Sequence, residues 1–345
     1  MSLIWYLPLF IIYIFGVVNL LGIRPDLVSR QLLFFGVGLV IFFIIRKINI
    51  HFFRLNATFF YWVGIALLLF TYLIGFEVKG STRWIDLYVF QLQSSELFKI
   101  FFMVFMANLL SSIRSHTSHQ SLFLLSLGAT LLPFILIFKQ PDLGSALIVF
   151  AIFFVMILHS PVKKSYLFYF FIFVLALLPV FWFTLHDYQK HRIYTFINHE
   201  QSTSATSYNM EQAIIAVGSG NTWGKGLGFG KQSQLSFLPE YHTDFAFSSL
   251  IEQFGFMGGS ILLLLYLIFF FILFYRLVRI IRRKDELSQF QFYYTIGFSA
   301  LIIAQTCINI GMNVGLLPIA GITLPFVSYG GSSLLTFMIA LALLP

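Results

Sequence analysis

Charge is what this chain has least of. Only 10% of its 345 residues are Asp, Glu, Lys or Arg, where a soluble domain carries about 25%, and the mean hydropathy is +0.89. Residues 1–23, 55–76, 143–162, 165–185, 253–275 and 287–345 contain no charged residue. Such runs exclude a water-facing globular surface and point to helices crossing a bilayer, each needing about 20 apolar residues. A single cysteine, Cys307, excludes a disulfide framework. The eight histidines show no HExxH spacing and no CxxC occurs, so no metal motif is legible. No basic residue precedes the first apolar segment and no small-residue cleavage site follows it, so it reads as a span, not a removed leader. Fixed-period repeats, low-complexity tracts and a soluble terminal domain are also missing.

What is there reads as an all-α polytopic membrane protein. The spacing predicts ten spans, at 3–22, 30–46, 57–76, 95–113, 121–138, 143–160, 165–185, 245–275, 289–312 and 331–345. Ten spans put both termini on one side. With that side cytoplasmic, the short inner loops at 46–54, 114–120, 161–164 and 276–288 hold 11 of the 21 Lys and Arg residues, as the positive-inside rule requires. The net charge of +8 is then a topological signal, and no nucleic-acid partner is expected. Of 13 carboxylates only Asp285 and Glu286 fall inside, leaving an acid-rich outer face with basic residues among the acids. The last apolar run stops at Pro345 without a basic residue behind it, so a cytoplasmic tail is expected beyond it.

Four outer segments concentrate the polar chemistry. "EVKGSTRWIDLYVFQLQSSELFK", 77–99, reads as an interfacial, partly re-entrant stretch anchored by Trp84, Tyr88 and Phe90. "KQPDLGSA", 139–146, reads as a helix start with Asp142 as its cap and Lys139 beside it. The long loop 186–244 carries glycines 218, 220, 224, 226, 228 and 230; without GKS/T or a strand–helix context they form a turn-rich loop and no phosphate loop. "GLLPIAGITLPFVSYGGSS", 315–333, is uncharged and broken by Gly and Pro. Irregular backbone at membrane depth survives only where protein buries it or a wet cavity borders it, so this segment is expected to wall a cavity beside the other three. Gly311 and Gly315 read as a small-xxx-small helix contact, with Asn309 and Asn313 placed to bridge helices.

The densest polar cluster is "FLPEYHTDFAFS", 237–248. A helix beginning at Thr243 or Asp244 would align Asp244, Ser248 and Glu252 on one face. Two readings stand for Asp244. It either caps the helix or waits in a cleft, where apolar surroundings favour the neutral carboxyl and suit it to a general base. His242 points elsewhere on such a helix, and Glu240 after Pro239 reads as a loop organiser. Glu96 and Lys99, at i and i+3, can pair. Lys99 then either snorkels to water with Glu96 on solvent, or is itself a cation held where an anionic substrate group would sit.

Taken in order, "GSTRWIDL" with "SSELFK", "KQPDLGSAL", "RIYTFIN", "VGSGNTWGKGLGFGKQSQLSFLPEYHTDFAF" and "NIGMNVGLLPIAGITLPFVSYGGSS" make the chain resemble the SEDS family of membrane proteins, whose members are RodA, FtsW and SpoVE. The resemblance covers residues 1–345 as one integral membrane domain. The wording of "KQSQLSFLPE" and "LPFVSYGGSS" is nearer the elongation member RodA, that of "NIGMN" and "GITLP" nearer the division member FtsW. One departure is Gln93-Ser94-Ser95-Glu96, where the family usually has Gln-Pro-Ser-Glu.

The resemblance implies a multi-pass protein of the bacterial cytoplasmic membrane, a peptidoglycan glycosyltransferase that polymerises lipid II on the outer face. It implies that Asp244, in the PExHTDF motif, is the essential aspartate, and that Glu96, Lys99 and the turn holding Asp142 line the same cavity. Arg83, Lys99, Lys139, Arg192 and Lys231 are candidates for the leaving pyrophosphate, and Glu240, His242, Ser248 and Ser328 complete the substrate-binding set. No cofactor is fixed; a divalent cation, Mg or Mn, could share the pyrophosphate. Expected partners are lipid II, the growing lipid-linked strand, a class B penicillin-binding protein and other elongation-complex membrane proteins. The rival readings are a lipid II flippase, which predicts ionisable residues near the midplane and symmetric halves, a non-enzymatic scaffold, and the division role.

Overall fold

The computed structural model describes residues 3–345 apart from 79–80, 87–90, 113–117, 186–189, 191–193, 195–204, 236 and 284. In chain order the helices are α1 (Leu7–Ile23), α2 (Pro25–Lys47), α3 (Ile50–Leu55) and α4 (Ala57–Ile74). Three strands follow, β1 (Phe76–Val78), β2 (Ser81–Asp86) and β3 (Gln91–Gln93). Then come α5 (Ser94–Ser111), α6 (His119–Lys139), α7 (Leu143–Leu158), α8 (Lys164–Thr184), α9 (Ala205–Ser219), α10 (Lys231–Gln234), α11 (Ala246–Ile280), α12 (Glu286–Asn313) and α13 (Gly331–Ala342). Among the described residues six helices are long and apolar enough to cross a membrane, and four shorter apolar helices accompany them.

The helix ends lie within five residues of the expected spans, because local chemistry sets them. Pro25 starts α2 with its φ already helical. The side chains of Ser118, Asp142 and Asp285 accept from Ser121 N, Ser145 N and Ser288 N and cap α6, α7 and α12. At the end of α12 the chain turns through Gly315 at φ 78°. There Leu316 N donates to Gly311 O at 2.8 Å and Gly315 N to Met312 O at 3.4 Å, the paired bonds of a Schellman ending. Gly311 and Gly315 therefore terminate a helix, and the expected close approach of a second helix is made at Gly315, where a Cβ would lie 2.8 Å from Ile214 of α9.

Helices α5 and α12 form the centre. In each, 67% of the apolar window is buried inside the protein, against 22–33% for the other four long helices. Their polar residues consequently face protein and not lipid. Gly64 and Gly297 let neighbours close on this centre: a Cβ on Gly64 would lie 2.7 Å from the Phe98 ring, and one on Gly297 2.9 Å from the Met156 sulfur.

The stretch after α4, read as interfacial and partly re-entrant, forms a three-stranded antiparallel sheet, with Trp84 of β2 paired to both Phe76 and Gln93; Tyr88 and Phe90 lie outside the described residues. One expectation needs correction. The segment 186–244 is not all loop, since α9 and α10 fall within it.

Helix α11 breaks at Gly255, whose φ of 69° and ψ of −170° are open essentially to glycine alone. The glycine-rich segment fills the break. Lys225 N donates to Glu252 O and Gly226 N to Gln253 O, while Phe256 N and Met257 N donate to Asn221 O and Thr222 O. The main-chain groups that the break would orphan are thus paired from outside the helix. A Cβ on Gly224 would sit 2.1 Å from Gln253 O, so the two backbones meet only because both positions lack one. This is the physical content of the glycine motif.

Candidate active site

The turn before α11 presents three consecutive carbonyls, and each is held from a different direction. His242 O accepts from Tyr329 N at 2.8 Å. Thr243 O accepts from Ser328 Oγ at 2.5 Å. Asp244 O accepts from Asn309 Nδ2 at 2.9 Å and from Asn313 Nδ2 at 3.1 Å. The backbone at Asp244 is therefore fixed by α12 and by the segment leading to α13, while its side chain is half-buried. Its Oδ2 lies 3.6 Å from where a Cβ on Gly321 would stand, so the carboxylate faces the Gly321 backbone.

Because α11 begins at Ala246, Asp244 precedes the helix and does not share a face with Ser248 and Glu252; that expectation is corrected. The N–H of Ser248 is satisfied by Asn313 Oδ1 at 2.9 Å, so this capping duty falls to a side chain from across the bundle. Ser248 is fully buried, and its hydroxyl donates to the same Asn313 Oδ1 at 2.6 Å. Glu252 accepts from Gln232 N at 2.8 Å and from Ser233 N and Oγ at 3.1 and 2.7 Å, tying α10 to α11. Glu240 behaves as the expected loop organiser, since its carboxylate accepts from Thr243 Oγ1 at 2.9 Å and its carbonyl from Thr243 N and Phe245 N. His242 is half-buried, its ring 5.4 Å from that of Tyr241 and 5.9 Å from that of Tyr329. Ser328 is doubly engaged, accepting from Leu324 N at 2.8 Å.

A second polar knot joins the starts of α5 and α7. Asp142 is 1% exposed. Its carboxylate accepts from Gln93 Nε2 at 2.9 Å, Ser95 Oγ at 3.0 Å and Ser145 N at 3.2 Å, and Arg83 Nη1 lies 3.6 Å away. A buried carboxylate is tolerable because three donors satisfy it and a guanidinium stands within ion-pair distance. One turn along α5, Lys99 is fully buried and donates to Glu96 Oε1 at 2.7 Å. The snorkelling arrangement expected as one reading is thereby excluded. Glu96 Oε2 is buried and meets no hydrogen-bond partner.

The segment before α13 joins the two knots. A Cβ on Gly144 would lie 2.7 Å from Ala320 O, so the start of α7 packs on one side of 320–322 while Asp244 faces Gly321. Gln93 N donates to Ser332 Oγ at 3.0 Å, bringing the end of β3 to the start of α13. The uncharged Gly- and Pro-broken segment thus touches the other three. Arg83, Glu96, Lys99, Asp142, Glu240, His242, Ser248 and Ser328 all belong to this connected region. Lys139 and Lys231 are exposed at its margin, and Arg192 lies outside the described residues. Among the described residues no three of His, Cys, Asp or Glu converge as metal ligands, and Asp142 has its donors already. A protein-built cation cage does not fit these residues. Asn309 and Asn313 were read only as helix bridges; nothing local announces that both would reach one carbonyl 65 and 69 residues away.

Relatives match nine-tenths or more of this chain. A probable peptidoglycan glycosyltransferase FtsW of Hydrogenovibrio crunogenus is 34% identical over 91% of this chain and 80% of its own length. The peptidoglycan glycosyltransferase MrdB of Helicobacter pylori is 33% identical over 91% of this chain and 81% of its own. Among solved structures, a chain described under the structural coordination of polymerization and crosslinking by a peptidoglycan synthase complex superposes with a TM-score of 0.84 at 27% identity, covering 99% of this chain and 96% of that one. The family uniting FtsW, RodA and SpoVE, described as cell cycle protein, matches residues 1–345, and this chain belongs to it.

Proposed function

We propose that this protein is a peptidoglycan glycosyltransferase that polymerises lipid II, with Asp244 as general base. The observation that carries the reading is Asp244 itself: a half-buried carboxylate on a backbone pinned at three successive carbonyls. In the reaction the acceptor sugar's 4-hydroxyl oxygen attacks the anomeric carbon of the donor with inversion. The bond to the lipid pyrophosphate breaks and carries its electron pair away. The hydroxyl proton passes to the Asp244 carboxylate, a transfer contributing ~10²–10⁴-fold in rate. Lys99, held by Glu96, and Arg83, near Asp142, are the cations we assign to stabilising the leaving pyrophosphate, Lys99 from a fully buried position; no step is routed through a metal ion.

The topology that fits is ten spans in one domain, both termini cytoplasmic and the 186–244 segment outside, in the bacterial cytoplasmic membrane. That orientation puts Asp244 where a lipid-borne substrate presents its headgroup. A class B penicillin-binding protein transpeptidase is the partner suggested by the synthase-complex neighbour, with other elongation-complex membrane proteins beside it. The elongation role rests on the wording of 231–240 and 324–333. A flippase would place ionisable residues at mid-membrane, yet Glu96 and Lys99 stand in the first two turns of α5. The test is to supply purified protein with lipid II and resolve the glycan products. Strands are expected; their absence even with the transpeptidase present overturns the reading.

A further inference from the structure

At the other end of the bundle, α11 buries a cation that meets no carboxylate among the described residues and has only the Tyr6 phenol as a polar neighbour. Arg276 is 8% exposed, and neither Nη1 nor Nη2 has a hydrogen-bond partner. Its guanidinium lies over the rings of Trp5 and Tyr6, 5.6 and 5.4 Å from their centres. A second guanidinium stands close enough to repel it: Arg46, whose Nη1 donates to Tyr6 Oη at 3.5 Å and to Leu344 O at 2.6 Å. Two like charges around one phenol, one of them buried with no acceptor beyond that phenol, is an arrangement that an anion completes. Aromatic faces offset part of the desolvation cost but give the N–H groups no acceptor.

The same tyrosine lines an apolar groove. A cavity of about 260 Å³ runs from Tyr6 between α1, α2 and α13, walled by Leu7, Phe10, Phe35, Phe42 and Met338 among others. Leu7 and Phe10 are exposed, so the groove opens on the surface that lipid covers. The basic sequence continues past it through Arg279, Arg282 and Arg283.

We infer that Arg276 and Arg46 hold the phosphate of an anionic phospholipid whose acyl chain lies in this groove. A phosphate bound to a chain is the occupant that answers both halves of the site, a pair of cations of which Arg276 is buried and an apolar groove joined to them through Tyr6. Basic pockets between spans on the cytoplasmic side are where anionic headgroups bind. Assignment to the cytoplasmic leaflet rests on the proposed orientation; the site itself does not.

Trp5 makes the site measurable. The full chain is placed in phosphatidylcholine nanodiscs containing either brominated phosphatidylglycerol or brominated phosphatidylcholine, and tryptophan fluorescence is read. Brominated phosphatidylglycerol is expected to quench more strongly, and Trp5→Phe is expected to abolish the difference. Arg276→Gln is expected to weaken phosphatidylglycerol retention roughly fivefold, the worth of one basic residue at an anionic membrane surface, while Arg276→Lys keeps most of it. Equal quenching of the wild-type protein by the two lipids overturns the proposal without recourse to any variant. So does a preference that survives in Arg276→Gln, or one that inorganic phosphate abolishes, which would mark a site for the free anion.

Discussion

Asn313 bonds to both sides of the turn that carries the candidate base. Its amide nitrogen donates to Asp244 O at 3.1 Å, and its amide oxygen accepts from Ser248 N at 2.9 Å. One side chain on α12 therefore sets where α11 begins and where Asp244 stands. Replacing it with alanine removes both bonds and orphans the buried Ser248 N–H, at about 1–3 kcal/mol, while Asp244 O keeps only its bond from Asn309. Asn313→Ala is expected to lower the thermal midpoint and to reduce kcat more than it raises KM, because positioning is lost while the substrate-contacting groups remain. Unchanged kinetics in a folded variant would remove Asn313 from the account.

The break in α11 predicts an asymmetric glycine requirement. Gly255→Ala must adopt a backbone essentially reserved for glycine, at about 1–3 kcal/mol, and its Cβ would sit 2.3 Å from Gly224 N. Gly218→Ala, a helical position where a Cβ meets nothing within 4 Å, is expected to be neutral. Comparing the thermal midpoints of the two variants checks this directly.

The buried pair on α5 separates stability from chemistry. Lys99→Met leaves Glu96 buried without its cation, a change of the kind that costs about 3–5 kcal/mol. The double variant Lys99→Met with Glu96→Gln removes the stranded charge and is expected to recover most of the thermal midpoint. It is not expected to recover polymerisation, since the proposed pyrophosphate contact is still missing. Recovery of both would make the pair purely structural.

Much of this was legible in the sequence for local reasons. Charge-free runs report spans by composition alone, and Asp142 before its helix and Glu96 one turn from Lys99 act over four residues or fewer, so spacing reveals them; the apolar run alone misses Pro25, and the second span starts five residues earlier than expected. The sheet was hidden because β1 and β3 are three residues each, too short for alternation to show beside apolar spans. The roles of Asn313, Gly224 and Glu252 were hidden because their partners lie 20 to 69 residues away. Helical periodicity reports which face a residue occupies, not what stands opposite. The helix start at Ala246 was misplaced for the same reason, since a side chain from another helix supplies the bond that a local cap would have made.

The measurement that bears most directly on the central claim is lipid II polymerisation by wild type and Asp244→Asn, each with and without the transpeptidase, with folding verified by thermal midpoint. The account predicts glycan strands from wild type and a loss of ~10²-fold or more in the variant, at an unchanged midpoint. A folded Asp244→Asn protein that polymerises at the wild-type rate would contradict it.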